Sequence, residues 1–301
     1  MRFGDDRESG NFIDDTGRGG GMGGLGFGGG GGNMLGCLLP MIASRFGIGG
    51  IVVLVIGYFL LSSLGGLGSL GGGGGVAPSS QVGSSAGKSN LDPQIKHFTL
   101  QVLGSTEDTW TKLLQAKGMR YTPTPLVYYS ESDQSGCGAA QSAMGPFYCP
   151  EDKRIYLDTE FFNELSQRFQ APGDFAMAYV IAHEVGHHVQ DLMGRLDEAH
   201  NAQARGSEAQ GNAVQVKVEL QADCYAGVWA ANAKTSDGQS VMEPGDFEEG
   251  MRAAEAIGDD TLQKETQGRV VPDSFTHGTS AQRMEALQRG FKGGDPAVCT
   301  F

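Results

Sequence analysis

Within the run DFAMAYVIAHEVGHHVQDLMG, His183 and His187 lie one helical turn apart, and Tyr179, Val180, Ile181 and Ala182 before the motif and Val185 and Gly186 within it are uncharged. On an α-helix this spacing puts both imidazoles on one side, where they can reach a single Zn²⁺ at about 2.0–2.1 Å each. Glu184 is turned by about 100° from His183 and so flanks the metal instead of binding it, as a general base for a polarised water requires. The segment therefore predicts a zinc hydrolase site. The other reading of HEVGH is a buried helix with hydrogen-bonded core histidines that matches the pattern by chance.

A catalytic zinc site takes three protein ligands and keeps one position open. In the metzincin pattern a glycine stands three residues past the second histidine and a third histidine six residues past it. Here those positions are Gln190 and Met193, which excludes that pattern. Glu219 in VELQADCYAGVWA is the favoured third ligand, because Asp223 follows on the same helix face and can accept the free N–H of a ligand histidine. The competing ligands are His200, Asp191, Asp197 and Glu208. His188 points away from the site as a packing or surface residue, and His97 is expected to be structural. Near the end of the chain, SFTHGTSAQRMEALQRGF places His277 just before a helix capped by Thr279 or Ser280, with Arg283 one turn in. An imidazolium there could stabilise an oxyanion opposite the metal. An ordinary loop histidine is the alternative.

The elements that must hold these residues come from residues 91–301. A helix is expected from Asp92 and Pro93, with Phe98, Val102, Trp110 and Leu114 on its apolar face. Two strand-like runs, PLVYYS and RIYLD, flank a loop with Cys137 and Cys149. Further helices are expected near 159–169, 173–193, 208–233, 245–257 and 280–290. The fold class is thus α+β, helix-rich, with a small sheet near its start.

Upstream, the composition changes. Most of the 49 glycines precede residue 87, and 1–45 reads as a disordered leader, since it mixes charge with glycine and shows no apolar period. Residues 46–64, FGIGGIVVLVIGYFLLSSL, carry no charge and are long enough to cross a bilayer as a single transmembrane helix. Residues 65–90 form a Gly/Ser-rich linker. Arg45 and Arg18 precede the span and the first lysine after it is Lys88. A cytoplasmic N-terminus follows, with the 91–301 domain periplasmic or extracellular. An exported domain would let Cys137 pair with Cys149 and Cys224 with Cys299, while Cys37 stays on the cytoplasmic side. A net charge of −13 opposes binding to nucleic acid.

With HEVGHH, ELQADCYAGVWA and SFTHGTSAQR together, the chain resembles the neutral zinc metallopeptidase family of bacteria, which is membrane-anchored with a glycine-rich N-terminus. It is also similar to the wider gluzincin group. The resemblance implies a zincin-like domain that hydrolyses peptide bonds, with His183, His187 and Glu219 as zinc ligands, Glu184 as base and proton shuttle, and Asp223 orienting a histidine. Val218 stands where thermolysin-like members carry an asparagine, which leaves the partner of one histidine open. The substrate would be a peptide or protein, with RIYLD as an edge strand for it to pair with. A membrane-tethered scaffold that binds metal without turnover is the rival reading.

Overall fold

The computed structural model describes residues 1–17 and 91–300. In chain order the elements are strand β1 (Phe12–Asp14), helix α1 (Pro93–Ala116), strands β2 (Leu126–Tyr129), β3 (Ser132–Ser135), β4 (Gly138–Gln141), β5 (Phe147–Cys149) and β6 (Arg154–Asp158), then helices α2 (Phe161–Gln167), α3 (Asp174–Leu192), α4 (Arg195–Gln203), α5 (Glu208–Asn232), α6 (Asp246–Ala256), α7 (Asp259–Gln267) and α8 (Ser280–Gly293). This is a helix-rich α+β architecture with small sheets. The expected span 46–64 and linker 65–90 lie outside the described residues, and no helix among the described residues is long and apolar enough to cross a membrane.

Four strands form the main sheet in the order β1-β2-β6-β5, parallel except for β5. Successive residues of LVYY and RIYLD face opposite ways, as the strand period requires. Leu126, Tyr128, Ile155 and Leu157 join the helical core, while Val127, Tyr129 and Tyr156 pack with Cys149 and Ala140 on the other face. Both faces are covered, and the strand order gives each of these two strands a paired neighbour on either side. RIYLD is therefore not an edge: β6 sits between β2 and β5, and the edge on that side is Phe147–Cys149. Those three residues stand between Pro146 and Pro150, too short a run to show a period.

The other edge is covered by residues expected to be disordered. β1 pairs with β2, from Phe12 opposite Leu126 to Asp14 opposite Tyr128. Phe3 is buried against the Phe98 ring, 5.9 Å between centroids. The Glu107 carboxylate of α1 is buried and accepts from Arg7 Nη2 at 2.9 Å, Ser9 Oγ at 2.6 Å and Asn11 Nδ2 at 2.8 Å. The Met1 α-amino group lies against the carboxylates of Asp174 and Asp246. The polar composition of this segment reads as solvated because its partners are some ninety residues or more away in the chain. Charge that looked solvent-facing is spent on complementary side chains, and a buried Glu107 without those donors would be costly.

Behind the sheet, α3 packs on α1, α5 and α6, and α8 runs along α5. The α5–α8 crossing brings backbones into contact. A Cβ at Gly290 would sit 1.9 Å from the Cys224 carbonyl oxygen, and one at Gly227 would sit 2.1 Å from that of Leu287. Capping boxes start both helices, Ser207 with Gln210 and Thr279 with Gln282.

Candidate metal centre

Helix α3 is buried over most of its length, so its polar side chains must find partners inside the protein. His183 and His187 project from one face of it, with rings 4.8 Å apart and nearly perpendicular. Across from them α5 presents Glu219. The close approach depends on Gly186 within HEVGH, where a Cβ would stand 3.0 Å from the Ala222 carbonyl oxygen. Three atoms converge as a result. Glu219 Oε2 is 3.1 Å from His183 Nε2 and 3.3 Å from His187 Nε2, and the two nitrogens are 3.2 Å apart.

That triangle is the fit test for a metal. Ligand atoms held about 2.0–2.1 Å from a tetrahedral zinc lie about 3.3–3.4 Å from one another. The observed edges are close to one face of such a tetrahedron, and the His₂Glu donor set suits zinc. Both histidines also have their far nitrogens engaged. His183 donates from Nδ1 to Asp223 Oδ1 at 2.7 Å, and His187 from Nδ1 to Gln190 Oε1 at 2.8 Å. With the proton on Nδ1, each Nε2 turns a lone pair to the triangle.

Asp223 is fully buried and held from several sides. Its Oδ1 accepts from Tyr179 at 2.6 Å and from Arg283 Nη2 at 2.9 Å, while Oδ2 accepts from Arg283 Nε at 2.9 Å. Arg283, itself buried on α8, also donates to the Ile257 carbonyl and to Tyr179. Gln215, one turn before Glu219, donates to Glu219 Oε1 at 2.7 Å and leaves Oε2 to the triangle.

The electrostatics follow from this crowding. Burial alone would depress the His183 pKa, but Asp223, Glu219 and Glu184 outweigh it and raise it to about 10 in the metal-free protein. Burial likewise opposes a charged His187, and the Glu219 carboxylate overrides it. Glu219 is held well below its ordinary range against burial by His187, His277 and His183, and Asp223 is lowered against burial by Arg283 and His183. The cluster is thus prepared as anions facing imidazoles. A cation can take the place of the imidazole protons.

Glu184 lines the same cavity, of about 550 Å³, and its carboxylate makes no hydrogen bond to another described residue. His277 also lines it, with its ring partly exposed and its Nδ1 3.1 Å from Thr276 Oγ1. The cavity runs past the β5 edge at Phe147 and Tyr148. His183, His187 and Glu219 come together, with Asp223 behind them. Of the competing ligands, His200 reaches only the cavity wall, and Asp191 is taken by Tyr148 at 2.7 Å. Asp197 and Glu208 join no such cluster among the described residues. His188 is buried between the Thr122 carbonyl and Tyr148, tying α3 to the edge strand, while His97 is exposed against Glu8. The four cysteines are joined as Cys137–Cys149 and Cys224–Cys299.

Three residues carry more of the site than their sequence positions suggested. Gln190 fills the role left open by Val218, with its side chain fixed by donation to the Val218 carbonyl at 2.8 Å. Its place three residues after His187 was a usable signal. Gln215, four residues before Glu219, gave the same kind of signal. Arg283 gave none, since its contact with Asp223 exists only through the α5–α8 crossing.

Fold and site together define a helix-rich α+β protein in which an HExxH helix and a glutamate from a second helix form a group that could hold a metal ion. The chain belongs to the family described as "Putative neutral zinc metallopeptidase", whose model matches residues 1–301. It is 45% identical over 301 residues to the uncharacterized protein YpfJ of Escherichia coli strain K12, which spans 99% of this chain and 98% of that protein. It is also 44% identical over 203 residues to the uncharacterized protein Rv2575 of Mycobacterium tuberculosis strain H37Rv, or 65% of this chain and 66% of that one. No solved structure matches the chain.

Proposed function

We propose that the protein is a zinc-dependent peptidase of gluzincin type with a zincin-like domain, hydrolysing peptide bonds in polypeptide substrates. The observation that carries this reading is the triangle of His183, His187 and Glu219 beside an unengaged Glu184 in one cavity. A zinc ion held there would acidify a water and polarise a carbonyl. Glu184, on the cavity side of α3, would serve as the general base, holding a proton taken from the attacking water and passing it to the leaving amine. Asp223 and Gln190 keep the two imidazoles in the Nδ1–H form. His277 donates to the oxyanion as it develops, and its pKa supports this, because Glu219 and Asp259 raise it against burial.

An extended substrate adds to the antiparallel edge β5, whose Phe147 and Tyr148 line the cavity. We assign the domain to an oxidising compartment outside the cytoplasm, a placement favoured by its two disulfides. Because residues 1–17 pack on the same body, we propose that they share its side of any membrane. A single crossing by 46–64, with the leader left on the other side, would break that packing.

The test is metal-dependent cleavage. Full-length protein in detergent, stripped with chelator and reloaded, should bind one zinc per chain and cut internally quenched peptides only when loaded. Stoichiometric zinc without cleavage across a broad peptide library would favour the scaffold reading. Absence of bound zinc would remove both.

A further inference from the structure

Beyond the ligand triangle and Asp223, a second buried carboxylate, that of Asp259, holds the turn whose His277 lines the cavity. Asp259 is the first residue of α7, is almost fully buried, and faces the turn that carries His277. Its Oδ2 accepts three consecutive backbone N–H groups, from Thr276 at 2.7 Å, His277 at 2.6 Å and Gly278 at 3.0 Å. Its own N–H donates to the Gly278 carbonyl at 2.9 Å. The second oxygen, Oδ1, lies 3.4 Å from His277 Nδ1. One carboxylate therefore grips both the backbone and the ring of a single residue.

The surroundings fix Asp259 in turn. A Cβ at Gly258 would stand 2.4 Å from Ser280 N, so the start of α7 lies directly against the start of α8. Asp260 accepts from Ser280 N at 2.8 Å and from Ser280 Oγ at 3.0 Å. Gly278 has φ +93°, a value that side-chain-bearing residues rarely adopt, and this bends the chain back after His277. With Nδ1 held by Asp259 and Thr276, the nitrogen left for the cavity is Nε2.

We infer that Asp259 is a positioning residue for the reaction: it sets the backbone and ring of His277 so that Nε2 faces the space between Glu184 and Glu219. This rests on the peptidase reading and on His277 as oxyanion donor. A carboxylate that only capped a turn would need no contact with the ring. Here the same group also defines which imidazole nitrogen is free.

The experiment is a double-mutant cycle on zinc-loaded full-length protein, with Asp259→Asn, His277→Ala and the pair, read as kcat and KM on a quenched peptide, with zinc content and melting temperature alongside. Asp259→Asn keeps an acceptor for the backbone N–H groups. It should lower kcat at least about tenfold, less than the roughly 100- to 1000-fold for losing an oxyanion donor outright, with KM within about twofold and zinc unchanged. The pair should be no slower than His277→Ala alone. If the two losses multiply, Asp259 acts apart from His277 and the inference fails. It fails too if Asp259→Asn leaves kcat within twofold, or if His277→Ala is silent while the wild type cleaves, a result that leaves the peptidase reading standing. Asp259→Ser serves as a second variant should Asp259→Asn not fold. If neither folds, Asp259 holds the domain together and the positioning role is rejected. A zinc-loaded wild type that cuts nothing overturns the peptidase reading itself.

Discussion

Arg283→Met is the substitution whose cost can be worked most directly from the structure. Arg283 supplies the only donor to Asp223 Oδ2 among the described residues and one of three to Oδ1. Methionine keeps much of the stem volume, so the cavity term is small and the loss is electrostatic. It leaves a fully buried carboxylate with Tyr179 and His183 alone, and takes a donor from the Ile257 carbonyl. Removing one partner of a buried ion pair costs about 3–5 kcal/mol, because the other charge is left uncompensated. Urea unfolding of the metal-free full-length chain at pH 7 should show a loss of that size with an unchanged m-value. Adding Asp223→Asn should recover part of it, since the orphaned charge is gone. Zinc affinity should also fall about 10- to 100-fold, as Asp223 is no longer held against His183. A loss under about 1 kcal/mol would show that Asp223 is compensated in some other way, and the argument for Arg283 would be refuted.

Further outcomes follow from the same geometry. In the metal-free protein the His183 pKa is raised to about 10, so the stabilisation from its protonated form is present below the unfolded value and is lost as pH rises through the folded one. Zinc must displace that proton, so about one to two protons should be released per zinc bound at pH 7, measured by calorimetry in buffers of different ionisation enthalpy; no release would contradict the shift. Gly186→Ala places a methyl against the Ala222 carbonyl, pushes α3 from α5 and should weaken zinc binding at least about tenfold in competition titrations, whereas unchanged affinity would mean that the crossing yields freely. Cysteines replacing Arg7 and Asp108, whose side chains pair at 2.8 Å, should be joined by a short bis-thiol reagent in intact cells. A leader on the opposite side of a membrane from the domain would give no joined product.

The parts of the site that repeat along one helix were readable without coordinates. His183 with His187, and Glu219 with Asp223, share faces because four residues make about one turn, and the uncharged run around HEVGH marks a buried helix. The long helices were legible for the same reason, with α3 at Asp174–Leu192 and α5 at Glu208–Asn232 close to their expected limits. What escaped depends on tertiary pairing. Helix α4 buries none of its residues, and α7 has Asp259 as its single buried one, so neither shows an apolar stripe. The edge at Phe147–Cys149 is too short for a period, and residues 1–17 are recognised only by distant partners, on α1, β2, α3 and α6. Arg283 and Asp259 stand sixty and eighteen residues from the groups they hold, distances that no local pattern spans.

The most direct test of the central claim is Glu184→Gln in zinc-loaded full-length protein. The side chain keeps its shape and lies outside the ligand triangle, so bound zinc should remain at one per chain and the melting temperature close to wild type. Cleavage of a peptide that the wild type cuts should fall by at least about 100-fold, the lower part of the range for losing a general base. Retained zinc with cleavage near the wild-type rate would contradict the role given to Glu184, and with it the hydrolytic reading of the HEVGH helix.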